Sequence, residues 1–182
     1  IWEVMQVKSR STLLVSCALS LVLLLGLATS ASANSRTFIG AKYKGAVGDL
    51  ALAYPGINAG LELEYRFDNG FAIAAACTAG FLKAEVDDGP TVDIGLYSAA
   101  LGARYYVMLG DFNPYFGISG TALIANAMGA SATLPGLQAT AGLEMTFNKI
   151  RFAGEVGYEA FIIDKKLEEG GIVYGVSLGY CF

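Results

Sequence analysis

Histidine is missing altogether, and Trp2 is the sole tryptophan. Without histidine no Ser–His–acid arrangement can be built, and no imidazole base can activate a serine. Cysteine is scarce, confined to Cys17, Cys77 and Cys181. Charge is thin at 15% of residues, and 12 Lys plus Arg face 16 Asp plus Glu. A nucleic-acid partner, which calls for a basic face, is not expected. Beyond Ala33 there is no apolar run long enough for a membrane-spanning helix.

One long apolar run exists, from Leu13 to Ala28, preceded by Lys8 and Arg10 and followed by Ala31-Ser32-Ala33. A basic start, an apolar stretch and a small-residue site describe a secretory signal peptide. Residues 1–33 are expected to be that signal, with Met5 the plausible start and cleavage after Ala33. Setting aside Lys8, Arg10 and Glu3 leaves ten bases and fifteen acids in a single domain spanning 34–182.

That domain alternates large apolar residues with small or charged ones. Leu61, Leu63, Tyr65 and Phe67 interleave with Gly60, Glu62, Glu64 and Arg66. Tyr97, Ala99, Leu101, Ala103 and Tyr105 interleave with Ser98, Ala100, Gly102 and Arg104. Similar stretches lie around Ile39–Lys44, Phe71–Phe81, Tyr115–Ala122, Leu137–Phe147 and Ile150–Ala160. Period two is the signature of a strand with two unlike faces. The eighth stretch is Ile172 to Phe182, in which Tyr174, Val176, Leu178, Tyr180 and Phe182 share one face with Ile172. Gly175, Ser177, Gly179 and Cys181 share the other.

The connections alternate in length. Short ones are Asp68-Asn69-Gly70, Leu109 to Pro114, and Asn148-Lys149. Long ones run from Gly45 to Gly56, Lys83 to Asp93, Asn126 to Pro135, and Asp164 to Gly171. Aromatics gather by the short turns: Phe67, Phe71, Tyr105, Tyr106, Phe112, Tyr115, Phe147, Phe152 and Phe182. Tyr43, Phe81, Tyr97, Tyr158 and Tyr174 form a second set near the long loops. An even number of strands, short turns at one rim and two aromatic girdles predict an all-β, eight-stranded antiparallel transmembrane barrel. A soluble lipocalin-like barrel would instead show an outer face of Thr, Lys and Glu. Here the thin face is mostly Gly, Ala and Ser.

The chain resembles the small eight-stranded outer-membrane proteins of the OmpX, OmpW and OmpA-transmembrane type. The resemblance rests on the terminal strand, on Gly102-Ala103-Arg104-Tyr105-Tyr106 and on Asn113-Pro114-Tyr115-Phe116-Gly117. It implies a protein of a bacterial outer membrane, seated in a lipid and lipopolysaccharide-type bilayer. It also implies that Tyr174, Val176, Leu178, Tyr180 and Phe182 are read by the barrel-assembly machinery. A non-enzymatic role follows, structural or adhesin-like, with the long loops facing a host or surface ligand. The OmpW-type alternative is a porin-like path for small hydrophobic solutes.

The charges decide what the lumen does. Lys42, Lys44, Arg66, Arg104 and Arg151 share the inward parity with Glu62, Glu64, Glu144, Glu155 and Glu159. Five of each sign read as a salt-bridge plug rather than acid–base catalysis. Neighbouring first and second strands are expected to set Lys42 and Lys44 against Glu62 and Glu64. Cys77 faces outward and Cys181 inward on strands that are not neighbours, so both are expected to be free thiols. The acidic run Glu85-Val86-Asp87-Asp88-Gly89-Pro90 reads as a solvated turn. No cofactor or metal is called for.

Overall fold

The protein's structure, a computed structural model, describes residues 36–48, 54, 58–85, 91–127, 130–163, 166–167 and 170–182. The signal and cleavage site, and residues 86–90 of the acidic run, lie outside the described residues. Nine strands follow in order: β1 Arg36–Val47, β2 Asn58–Arg66, β3 Phe71–Glu85, β4 Thr91–Tyr106, β5 Phe112–Ala127, β6 Ala130–Phe147, β7 Ile150–Ile163, β8 Lys166–Leu167 and β9 Gly171–Cys181. β8 is a two-residue ribbon against the end of β7. The other eight pair antiparallel with their neighbours in turn. β9 pairs with both β7 and β1, which closes the wall. A closed wall leaves no unpaired edge, the condition for strands to cross a bilayer.

The faces are inverted relative to a protein that lives in water. Arg151 and Glu159 are fully buried at 0% exposure, while Phe81 and Ile118 stand 73% and 71% exposed. Along β9 the large residues Ile172, Tyr174, Val176 and Leu178 are exposed, and Val173, Gly175 and Ser177 between them are buried. Such a continuous apolar surface is not tolerated in water, and it matches a hydrocarbon surround. The soluble-barrel arrangement, apolar inside and polar outside, is absent.

Both rims depart from the sequence reading in detail. The strands run further into the long connections than expected. β5 reaches Ala127 and β6 starts at Ala130, so the loop expected from Asn126 to Pro135 is mostly paired ribbon, with Pro135 opposite Ala122. Most of its residues are small or polar, which hid the strand from a reading based on apolar alternation. At about 3.3 Å per residue and a tilt near 45°, an 18-residue strand like β6 covers on the order of 40 Å along the axis, more than an apolar band of about 25 Å needs. The surplus projects at the long-loop end. At the other end the β4–β5 connection is Val107–Asp111, because Phe112 and Pro114 already lie in β5.

The short turns are held by their own chemistry. Gly70 adopts φ +82°, and a Cβ there would lie 2.6 Å from the Tyr106 carbonyl oxygen. The Tyr106 amide donates to the Gly70 carbonyl at 2.8 Å, and the Phe71 amide donates to Asn69 Oδ1 at 3.0 Å. Glycine is needed there on both counts. Asn148 takes the left-handed conformation, φ 56°, in the β6–β7 turn, as asparagine readily does.

Candidate functional site: a charged lumen

Alternation along each strand puts one residue in two inside, and at those positions this sequence carries its charges. β1 supplies Lys42 and Lys44; β2 supplies Glu62, Glu64 and Arg66; β4 supplies Arg104. β6 supplies Glu144, and β7 supplies Arg151, Glu155 and Glu159. All ten have side chains less than a tenth exposed.

At the short-turn end Arg66 grips Glu144 with both terminal nitrogens, Nη1 to Oε1 at 2.8 Å and Nη2 to Oε2 closer still. Arg66 Nη2 also donates to Glu64 Oε1 at 2.9 Å. Arg151 Nε lies 2.7 Å from Glu144 Oε2, and Nη2 lies 3.2 Å from Glu64 Oε2. Two parallel donors on one carboxylate make the strongest ion-pair geometry available to a side chain. Midway along the lumen Arg104 Nη1 donates to Glu62 at 2.7 Å and to Glu64 at 2.8 Å, while Nη2 reaches Glu155 at 3.0 Å. Lys42 bridges Glu62 at 2.7 Å and Glu155 at 2.6 Å. One tier nearer the long loops, Lys44 pairs with Glu159 at 2.9 Å and also donates to Gln138.

The expected match of Lys42 and Lys44 with Glu62 and Glu64 needs correction. The β1–β2 register sets Gly60 opposite Lys42 and Asn58 opposite Lys44, with Gly40 opposite Glu62 and Phe38 opposite Glu64. Lys42 reaches Glu62 diagonally, whereas Lys44 reaches past β9 to Glu159 of β7. Glu64 is taken by three arginines instead. A two-residue offset, invisible in the pattern of either strand, sets these partners.

Several interior residues escaped the sequence reading. Tyr106 and Tyr115, expected in the girdle, are each 1% exposed and lie inside. Tyr106 has the parity of Arg104, and Tyr115 has that of Gly117, so counting along the strand would have found them. Their hydroxyls donate to Glu64 at 2.7 Å and Glu155 at 2.9 Å. The Arg66 guanidinium stacks 3.5 Å from the Tyr106 ring centre, and Arg151 lies 4.0 Å from that of Phe38. Gly142 leaves the room that the Tyr115 ring fills. Asn113 ties the network to the β4–β5 turn: it accepts from the Leu109 amide at 2.9 Å and donates to Glu144 at 3.3 Å.

Tyr54 had no signal at all, since it belongs to a connection. Its hydroxyl donates to Glu159 at 2.8 Å and accepts from Lys44 at 3.0 Å. Burial, then the Glu159 charge, pushes this phenol well above its ordinary pKa range, so it remains a donor. Cys77 is exposed, Cys181 is half-buried, and both are free. Among the described residues no group of His, Cys, Asp and Glu is arranged to hold a metal ion.

No family model matches the sequence, and no curated protein matches it either. Solved structures do match. Ail, the attachment invasion locus protein of Yersinia pestis, solved with the heparin analogue sucrose octasulfate, is 19% identical at a TM-score of 0.50. That match covers 81% of this chain and 97% of Ail. The N-terminal β-barrel domain of Pseudomonas aeruginosa OprF is 18% identical at a TM-score of 0.54, covering 82% of this chain and 98% of that one. A major outer membrane protein of Thermus thermophilus is 11% identical at a TM-score of 0.57, covering 81% and 99%. At such identities the likeness is one of architecture: the chain folds as a small, eight-stranded outer-membrane β-barrel.

Proposed function

We propose that this protein is a non-enzymatic, closed barrel of a bacterial outer membrane that acts through its surface rather than through its lumen. The observation that carries the reading is the pairing of all ten inward charges with one another. Glu62, Glu64, Glu144 and Glu155 are each held by two or three cations, and Glu159 by Lys44 and the Tyr54 hydroxyl. That favours a structural role over acid–base work, and side chains that fill the bore leave no axial path for solute. What remains available to a partner is the long-loop end, where β5 and β6 project. A host or surface ligand engaged there is part of this proposal, as are the signal at 1–33 and delivery by the barrel-assembly machinery.

A second reading, passage of small hydrophobic solutes, draws on one feature. A cavity of about 30 Å³ lies beside Lys42, Arg104 and Glu155, against the small residues of β3, β4 and β5, and its lining includes the outward-facing Ala75, Ala103 and Ile118. That volume suits a water or two rather than a solute. The β3–β4 and β4–β5 ladders also run unbroken through those residues. The discriminating experiment is planar-bilayer conductance together with uptake of a hydrophobic probe by the refolded protein. The closed-barrel reading expects neither; steady porin-like conductance overturns it, and probe uptake without conductance favours the second reading.

A further inference from the structure

The inward-facing positions change character abruptly near the long-loop mouth. On β1 the residue after Lys44 on the inward face is Ala46; on β5, Leu123 follows Thr121; on β7, Phe161 follows Glu159. On β9, Val173 lies one inward step beyond Gly175, opposite Ala46. Leu134 of β6 lies opposite Leu123. Tyr54, Leu123, Phe161 and Val173 are buried together, with Ala46 and Leu134 packed against them. Tyr54 enters this collar ring-first and anchors it below by its bonds to Lys44 and Glu159.

Beneath the collar the interior asks for water. Glu159 Oε1 and Thr121 Oγ1 are buried without a protein partner, as are Arg66 Nε and Arg151 Nη1 further down. Buried polar atoms of this kind are normally satisfied by bound water. Apart from these atoms, a small cavity beside Lys42, Gln138 and Ser119 also has room for water. Leucine, valine and phenylalanine side chains offer such water nothing, and a tight apolar constriction excludes it.

We propose that this apolar collar seals the loop-side mouth of the lumen above the ion-pair network, with a hydrated polar chamber beneath it. The proposal rests on the closed-barrel reading and adds where the closure lies. It implies that loosening the ion pairs leaves the chamber sealed on the loop side, whereas making the collar polar admits water-soluble molecules while the ion pairs stay intact.

The test uses Ser119→Cys as a reporter in the chamber, in a full-length Cys77→Ala, Cys181→Ser background, refolded in micelles. The rate of modification by hydroxyethyl methanethiosulfonate is measured with the native collar, with Leu123→Asn plus Val173→Thr, and with Glu62→Gln. The collar variant is expected to speed labelling at least tenfold, and Glu62→Gln less than twofold. Folding of each variant is checked by its heat-modifiable gel migration, and the near-isosteric Val173→Thr alone serves if the pair misfolds. A collar change that leaves the rate within twofold overturns the proposal, as does Glu62→Gln raising it as far as the collar change. Porin-like conductance of the unsubstituted protein would instead sink the closed-barrel reading, so the two failures are distinguishable.

Discussion

Glu62 shows what a single residue does in this interior. It is 1% exposed and receives Lys42 at 2.7 Å and Arg104 at 2.7 Å. Replacing it by alanine leaves Lys42 with Glu155 and Arg104 with Glu64 and Glu155, but puts five buried cations against four carboxylates. Removing one partner of a buried pair costs up to about 3–5 kcal/mol, less where the remaining partners or water compensate. Glu62→Ala is therefore expected to shift the urea unfolding midpoint strongly, while Asp111→Ala, at an exposed turn, stays within about 0.5 kcal/mol. Equal midpoints for the two variants would remove the ion pairs from the account of stability. The inward placement of Glu62 follows from parity alone, because charges at alternate positions leave little choice of face. Its partners do not, because they depend on the offset between β1 and β2 and on which side chains cross the bore. Tyr106 and Tyr115 mark the opposite hazard. Their aromatic character suggested an interfacial belt, and position along the strand, which set them inside, was the better guide.

Among the elements, the terminal strand was the most legible and the long connections the least. β9 alternates without exception from Ile172 to Leu178, and its inward residues are small enough to leave room for the charged side chains of β1 and β7. The facing ends of β5 and β6, Ala125 to Ala127 and Ala130 to Thr133, carry only Ala, Asn, Ser and Thr, so no periodicity distinguished strand from loop, and only pairing with each other defines them. Phe182 makes few interior contacts. Its amide donates to Thr37 at 2.9 Å, and its ring meets Tyr180 edge-on with centroids 5.1 Å apart. If its part is played in assembly, deleting Phe182 should sharply lower the amount of folded protein in the outer membrane. Molecules that do fold should lose no more than about 1 kcal/mol, as expected for a residue outside the core. Quantifying the heat-modifiable band from membranes, beside urea unfolding of the purified variant, separates the two effects. Undiminished folded protein would take the terminal aromatic out of the assembly signal.

At the scale of the whole molecule, the barrel inverts the arrangement of a protein that lives in water. Apolar side chains face out, paired charges face in, and an apolar collar closes the mouth where the loops begin. That inversion was legible from composition and period two together, because small residues opposite large ones leave only one face thin enough to line a narrow bore. The collar was not legible, because Leu123, Phe161 and Val173 read as ordinary strand residues until closure brings five strands and Tyr54 to one level. The most direct measurement is a spin-label scan of β9 in lipid bilayers, with Cys77 and Cys181 replaced and labels placed singly from Tyr174 to Gly179. Collision with lipid-dissolved oxygen should peak at Tyr174, Val176 and Leu178 and fall at Gly175, Ser177 and Gly179. A flat profile, or one peaking at Gly175, Ser177 and Gly179, would contradict a membrane barrel with a charged interior.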